Sequence, residues 1–173
     1  MDVFIEILPY TLPLLIVSGT VLIVIRLFFK QEKDRSVSLQ KAEALKTILP
    51  LRLQAYERII LFLERTEPSQ VISRLLPHHI TARELQHEGI LSIRQEFEHN
   101  FTQQLYISEN AWEAVKLAKE SAIHLINKSF ADLKENATAG DMAMHILQQE
   151  NSVASKNIEM AIRQIKVEVQ DLF

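Results

Sequence analysis

Nineteen consecutive residues without a charge, Ile7–Ile25 (ILPYTLPLLIVSGTVLIVI), lie between Glu6 and Arg26. Crossing a hydrocarbon core of roughly 30 Å takes about 20 apolar residues at 1.5 Å of helical rise each, so this stretch is expected to be a transmembrane helix. A cleaved signal fits it poorly. Such a signal has a basic start and small residues that close its apolar run. Here Asp2 and Glu6 come first, and Ser18-Gly19-Thr20 is followed by more apolar chain, Val21–Ile25. The nearby basic residues, Arg26, Lys30, Lys33 and Arg35, all lie on the C-terminal side. The positive-inside bias therefore puts the N-terminus outside and the rest of the chain in the cytoplasm, on an inner (plasma) membrane. Pro9 and Pro13 are tolerated in such a helix, and no small-xxx-small pair offers it a dimerisation face.

The expected division is residues 1–35 as anchor and juxtamembrane linker and 36–173 as one cytoplasmic domain, large enough to bury its own core. The absence of cysteine excludes disulfides, thiolate metal sites and a cysteine nucleophile. Three glycines and five prolines in 173 residues, with net charge −3, suit helices and provide no basic footprint for nucleic acid. The basic residues between Lys30 and Lys46 are interleaved with Glu32, Asp34 and Glu43, so contact with lipid head groups would be weak and the stretch reads as a solvated linker.

Helical periodicity then runs to the C-terminus. A helix is expected from near Ser38 to Ile48, stopped or kinked at Pro50. Leu51–Arg65 is apolar around most of its circumference (Leu53, Ala55, Tyr56, Ile59, Ile60, Phe62 and Leu63), which marks a central helix. Glu67-Pro68 opens a short helix that ends at Pro77. Thr81-x-x-Glu84 is a capping box. Ser108 and Thr138 are N-caps for the two helices after it, the last running from Thr138 nearly to Phe173. Its stripe includes Leu147, Asn151, Ala154, Ile158, Ala161 and Ile165; Asn151 either fixes register or faces water. Short connections imply antiparallel neighbours. The fold class is therefore all-α: one N-terminal transmembrane helix, then an antiparallel helical bundle with a long C-terminal helix. That helix, about 50 Å long, would overhang its partners and expose Ile158, Ala161 and Ile165 as a candidate partner surface.

Chemistry-bearing patterns are sparse. Glu84-x-x-His87 and Glu96-x-x-His99 match the ligand spacing of carboxylate-bridged metal bundles. Both lie on one expected helix, about 18 Å and 120° apart, and cannot share a metal. His78-His79 reads as a loop pair, while His124 and His145 stand alone. There is no G-x-S-x-G, H-E-x-x-H or glycine-rich phosphate loop. Arg52, Arg58, Arg65 and Arg74 read as ion-pair partners of Glu57, Glu64 and Glu67. The expectation is a chain that is not an enzyme and takes no cofactor, no catalytic residues and no evident small-molecule substrate. Its partners are the bilayer, through Ile7–Ile25, and a protein or further copies of itself. The alternative is a bundle that binds a ligand or metal, with Glu96, His99 and His124 as its set.

The runs from Leu49 to Leu76, ITARELQ (80–86), IRQEFEHNFTQQLYIS (93–108) and AWEAVKLAKESAIHLIN (111–127) resemble a known family. It comprises uncharacterised small bacterial proteins with one N-terminal membrane helix and a helical cytoplasmic domain. The resemblance covers residues 39–130, and the last helix matches in character. It implies the architecture and the anchor, and no activity, substrate or cofactor.

Overall fold

In the computed structural model, residues 2–78, 81–149 and 152–172 are described, with the side chains of 2–16, Ser38, Lys41 and Ala42 outside that description. Six α-helices follow in order: α1 Asp2–Arg65, α2 Pro68–Leu75, α3 Ala82–Asn100, α4 Glu109–Ala131, α5 Ala139–Leu147 and α6 Val153–Gln170. Two 3-10 turns, Leu76–His78 and Phe101–Leu105, follow α2 and α3. The chain divides into two compact units, Met1–Leu49 and Pro50–Phe173.

Side-chain caps set most of the helix starts. The Thr81 hydroxyl accepts from the Glu84 amide at 3.2 Å, and the Glu84 carboxylate accepts from the Thr81 amide at 3.3 Å. This is the reciprocal box its sequence prescribes. Thr138 and Asp141 form a second box. Ser108 accepts from the Ala111 amide and Ser152 from the Ser155 amide, each at 3.2 Å.

In the first unit, α1 is helical through the charged stretch 30–35 and reaches Pro50 unbroken. The expected start near Ser38 and stop at Pro50 are thus corrected. Proline removes one donor, which a helix with good formers on both sides survives. Among the described residues no helix is long and apolar enough to cross a membrane. The expected span Ile7–Ile25 lies largely in residues 7–16, whose side chains are outside the description.

The second unit has two cores joined by α4. In the first, Tyr56, Ile59, Phe62 and Leu63 of α1 meet Ala111, Trp112, Val115 and Ala118 of α4 and Ile158, Ala161 and Ile165 of α6. In the second, Val71 and Ile72 of α2, Leu85 and Ile93 of α3 and Met142 and Ile146 of α5 surround Ala122 and Ile126 of α4. The small side chains Ala118, Ala122 and Ala161 let the backbones approach closely. Trp112 stacks on Phe97 with ring centroids 5.2 Å apart, and Lys119 sits 4.3 Å from the Phe97 centroid.

The long C-terminal helix does not form. Its residues make two helices: α5 ends at Leu147, and α6, 18 residues long, starts afresh at Val153 behind its N-cap Ser152. The two cores require this elbow, because Met142 and Ile146 pack on one and Ile158 and Ile165 on the other. Asn151, placed in a continuous seam by its spacing, lies outside the described residues.

Candidate functional site

α4 and α6 run antiparallel, locked by two long-range bonds. Asn157 Nδ2 donates to Ser121 Oγ at 2.6 Å, and the Ser108 amide donates to Glu168 Oε1 at 2.8 Å. Where the pair meets the α5–α6 turn, a cleft of about 550 Å³ opens. Leu125, Val153 and Ala154 supply its apolar wall, and Glu120, His124 and Lys128 its charged and titratable side chains. The volume is that of a small-ligand site, although polar residues outnumber apolar ones along its lining. The Ser121 hydroxyl gives its proton to the Leu117 carbonyl at 2.8 Å while accepting from Asn157, so its role is to hold two helices together.

The most connected polar node lies at the opposite end of the α4–α6 pair. Glu168 Oε1 accepts from the Tyr56 hydroxyl at 2.8 Å and the Ser108 amide at 2.8 Å, and pairs with Arg52 at 3.4 Å. Arg52 also donates to the Tyr56 hydroxyl at 2.7 Å and to the Tyr106 carbonyl at 3.1 Å. One carboxylate thereby ties α1, the start of α4 and α6. Burial, reinforced by the neighbouring Glu168, holds the Tyr56 phenol above its ordinary range, so the hydroxyl keeps its proton to donate.

Sequence expectations about the other polar residues are largely redirected. Arg65 pairs with Glu96 at 3.3 Å, and Arg74 donates to Ser92 Oγ at 3.2 Å. With the Arg52–Glu168 pair, these take the place of the expected partners Glu57, Glu64 and Glu67; among the described residues none of those glutamates forms an ion pair with Arg52, Arg58, Arg65 or Arg74. Glu67 instead accepts from Ser155 Oγ at 2.8 Å, joining the end of α1 to α6. The two E-x-x-H pairs serve separately: Glu84 caps α3, Glu96 binds Arg65, and His87 lies beside Glu88 on an exposed face. Among the described residues no three His, Asp or Glu side chains gather to hold a metal, so Glu96, His99 and His124 are not brought together. His78 is exposed, and His79 lies outside the described residues. His145 Nε2 is 3.8 Å from Asp132.

Ile158, Ala161 and Ile165, the candidate partner surface, are 4%, 0% and 0% exposed and face α4 and α1. The seam turns inward because α6 is shorter than expected and lies along α4, leaving no overhang. The Arg52–Tyr56–Glu168 node was missed. Arg52 and Tyr56 stand one helical turn apart, but their shared acceptor Glu168 lies more than 100 residues on and has no local signal that links it to them.

Glu67 sits in a part-buried position, and burial raises its carboxyl above the ordinary glutamate range against the lowering effect of the Ser155 bond. A carboxyl raised on folding contributes stability at pH values below its unfolded range and loses it as pH rises through the folded value. Glu67→Gln keeps an uncharged acceptor for Ser155 and removes that loss. We expect its melting temperature to match the wild type near pH 4 and to exceed it by about 2 °C at pH 7. A variant less stable than wild type at pH 7 would show that the Ser155–carboxylate bond outweighs burial.

No curated protein and no solved structure matches this chain. One family model matches residues 2–172, nearly the entire sequence, and covers α1 together with the whole of the two-core unit. The chain belongs to that family, a family of unknown function (DUF7935).

Proposed function

We propose that this chain is a single-pass membrane protein whose helical domain works as a membrane-tethered interaction module, by binding rather than by catalysis. The observation that supports the tether is the exposure of α1 between Val17 and Phe29. Val21, Leu22, Ile23, Val24 and Ile25 are consecutive, and all are 43–60% exposed. Five successive residues point to every side of a helix, so no single partner helix would cover them, whereas hydrocarbon would. The uncharged run before them in the sequence, from Ile7, completes the length that a bilayer requires. The basic residues from Arg26 onward favour a cytoplasmic placement of the domain.

Binding is favoured by what the second unit leaves uncovered: Leu105 is 79% exposed, Val153 72% and Met144 63%. A tether raises the local concentration of whatever such surfaces meet, so modest contacts suffice.

The test uses the full chain in its native membrane. It is expected to float with lipid in a density gradient and to stay in the pellet through an alkaline carbonate wash. Because the chain has no cysteine, single replacements report topology cleanly. Asp2→Cys should react with an impermeant maleimide in intact cells, and Ser36→Cys only after lysis. Recovery of the wild type in the carbonate supernatant would sink the tether.

A further inference from the structure

We infer that the outer face of the α4–α6 pair is a self-docking surface on which a second copy of this chain seats, giving a two-fold dimer. This deepens the interaction reading above by naming the partner, and it does not require the membrane.

The face begins with a heptad stripe. Val153, Met160 and Val167 recur every seventh residue along α6, within about 40° of one another. They are 72%, 58% and 53% exposed. The buried side of the same helix already carries Ile158, Ala161 and Ile165, so α6 has a second apolar stripe that its own chain leaves open. The Asn157–Ser121 and Glu168–Ser108 bonds fix the antiparallel register with α4. That register brings exposed Leu117 of α4 level with Met160, widening the stripe into a seam over the groove.

Charge selects the occupant. Beyond Leu117, away from α6, the ridge of α4 carries the exposed carboxylates Glu113 and Glu120. Beyond the α6 stripe, away from α4, lie the exposed cations Lys156 and Arg163, with exposed Glu159 about 40–60° further round the helix. An apolar seam with acid along one edge and base along the other complements itself. A two-fold axis parallel to the helices lays the acidic ridge of each copy on the basic ridge of the other. The antiparallel register then sets Arg163 opposite Glu113 of the second copy, and Lys156 opposite its Glu120. Glu113 and Glu120 already have intrachain partners in Lys116 and the part-buried Lys119, but both carboxylates are themselves exposed, where such pairs contribute little and exchange readily. An isologous contact of this kind closes at two copies.

The test introduces Met160→Cys into the otherwise cysteine-free full chain, in native membranes, with a short bismaleimide as the probe. A covalent dimer is expected at a yield at least fivefold above that of Glu98→Cys, an exposed control position on α3. Adding Arg163→Glu should cut the yield severalfold, and adding Glu113→Arg to that variant should restore most of it. Circular dichroism of each purified chain checks that the helices are intact. Cross-linking at Met160 no greater than at Glu98, cross-linking only to a different protein, or no restoration by the double reversal would each overturn the inference. Flotation of the same samples keeps the two readings apart. A dimer that does not float refutes the tether alone, and a floating chain without the dimer refutes self-docking alone.

Discussion

Ile165→Glu is expected to unfold the Pro50–Phe173 unit rather than to weaken one surface of it. Ile165 is fully buried between α1 and α4, in the cluster that holds Tyr56, Phe62, Trp112 and Val115. The substitution removes an apolar side chain whose burial contributes about 1.5–3 kcal/mol and brings a carboxyl in among apolar side chains. Burying an unpaired charge costs several kcal/mol more, or forces the group to take up a proton. A total above about 5 kcal/mol rivals the whole stability of an ordinary domain, commonly 5–15 kcal/mol. Circular dichroism and limited proteolysis of the purified chain are the measurements. Loss of the cooperative melt is expected, with Ile158→Glu following the same course. A folded Ile165→Glu chain would mean that α6 does not pack on α4 as described. Met160→Glu, on the open stripe of the same helix, provides the contrast, because it should keep a cooperative melt and lose at most the stability that the second copy contributes.

The two faces of α6 show how far the sequence could be read. Its apolar period was visible, and Ala154, Ile158, Ala161 and Ile165 do share one face of a helix. What the period could not say is whether that face turns inward or outward. Inward placement depends on the break between α5 and α6, where Gln148, Gln149, Glu150, Asn151 and Ser152 are all polar, although Leu147 and Ala154 on either side keep heptad spacing. Ser152, at the end of that polar run, was the sharpest signal. It has the residue type of an N-cap and serves as one, but a lone serine within a strong heptad pattern is outweighed by the period around it. Thr81, Ser108 and Thr138 were legible for the opposite reason. Each stands at a gap in the apolar pattern, and the two threonines have an acid three residues on to close the box.

Leu51–Arg65 was identified as a central helix from its wide apolar surface, and Ala55, Tyr56, Ile59, Phe62 and Leu63 are all buried. Its apolar stripe lent α4 no such prominence, although α4 is the element shared by both cores. Its alanines, Ala111, Ala118 and Ala122, are weak signals of hydrophobicity and strong determinants of close packing. Polar pairings were the least legible. Arg52 has Glu57 five positions on, yet its carboxylate partner is Glu168, because side chains along one helix face one another when they lie three or four residues apart.

That distant pairing carries the second large effect. Glu168→Ala removes the acceptor of the Tyr56 hydroxyl and the Ser108 amide together, and frees Arg52. Tyr56 is only 2% exposed, so its hydroxyl is left with the Arg52 donor and no acceptor for its own proton. Leaving buried polar groups unpaired costs about 1–3 kcal/mol each. The Arg52 ion pair adds little, since its side chain is 31% exposed and is rehydrated on release. We expect Glu168→Ala to lose about 3 kcal/mol in urea unfolding, Tyr56→Phe about 1, and the double variant about 3 rather than 4, because the phenylalanine has no hydroxyl to strand. Glu168→Gln should lose no more than about 1 kcal/mol, since its amide oxygen still accepts from Ser108. The non-additivity is the decisive reading. If the two losses simply add, then the Tyr56 hydroxyl and Glu168 act independently, and the node does not join α1 to α6 as one unit. If Glu168→Ala is neutral, the end of the α4–α6 pair must be held by the apolar contacts of Ile165 and Val169 alone.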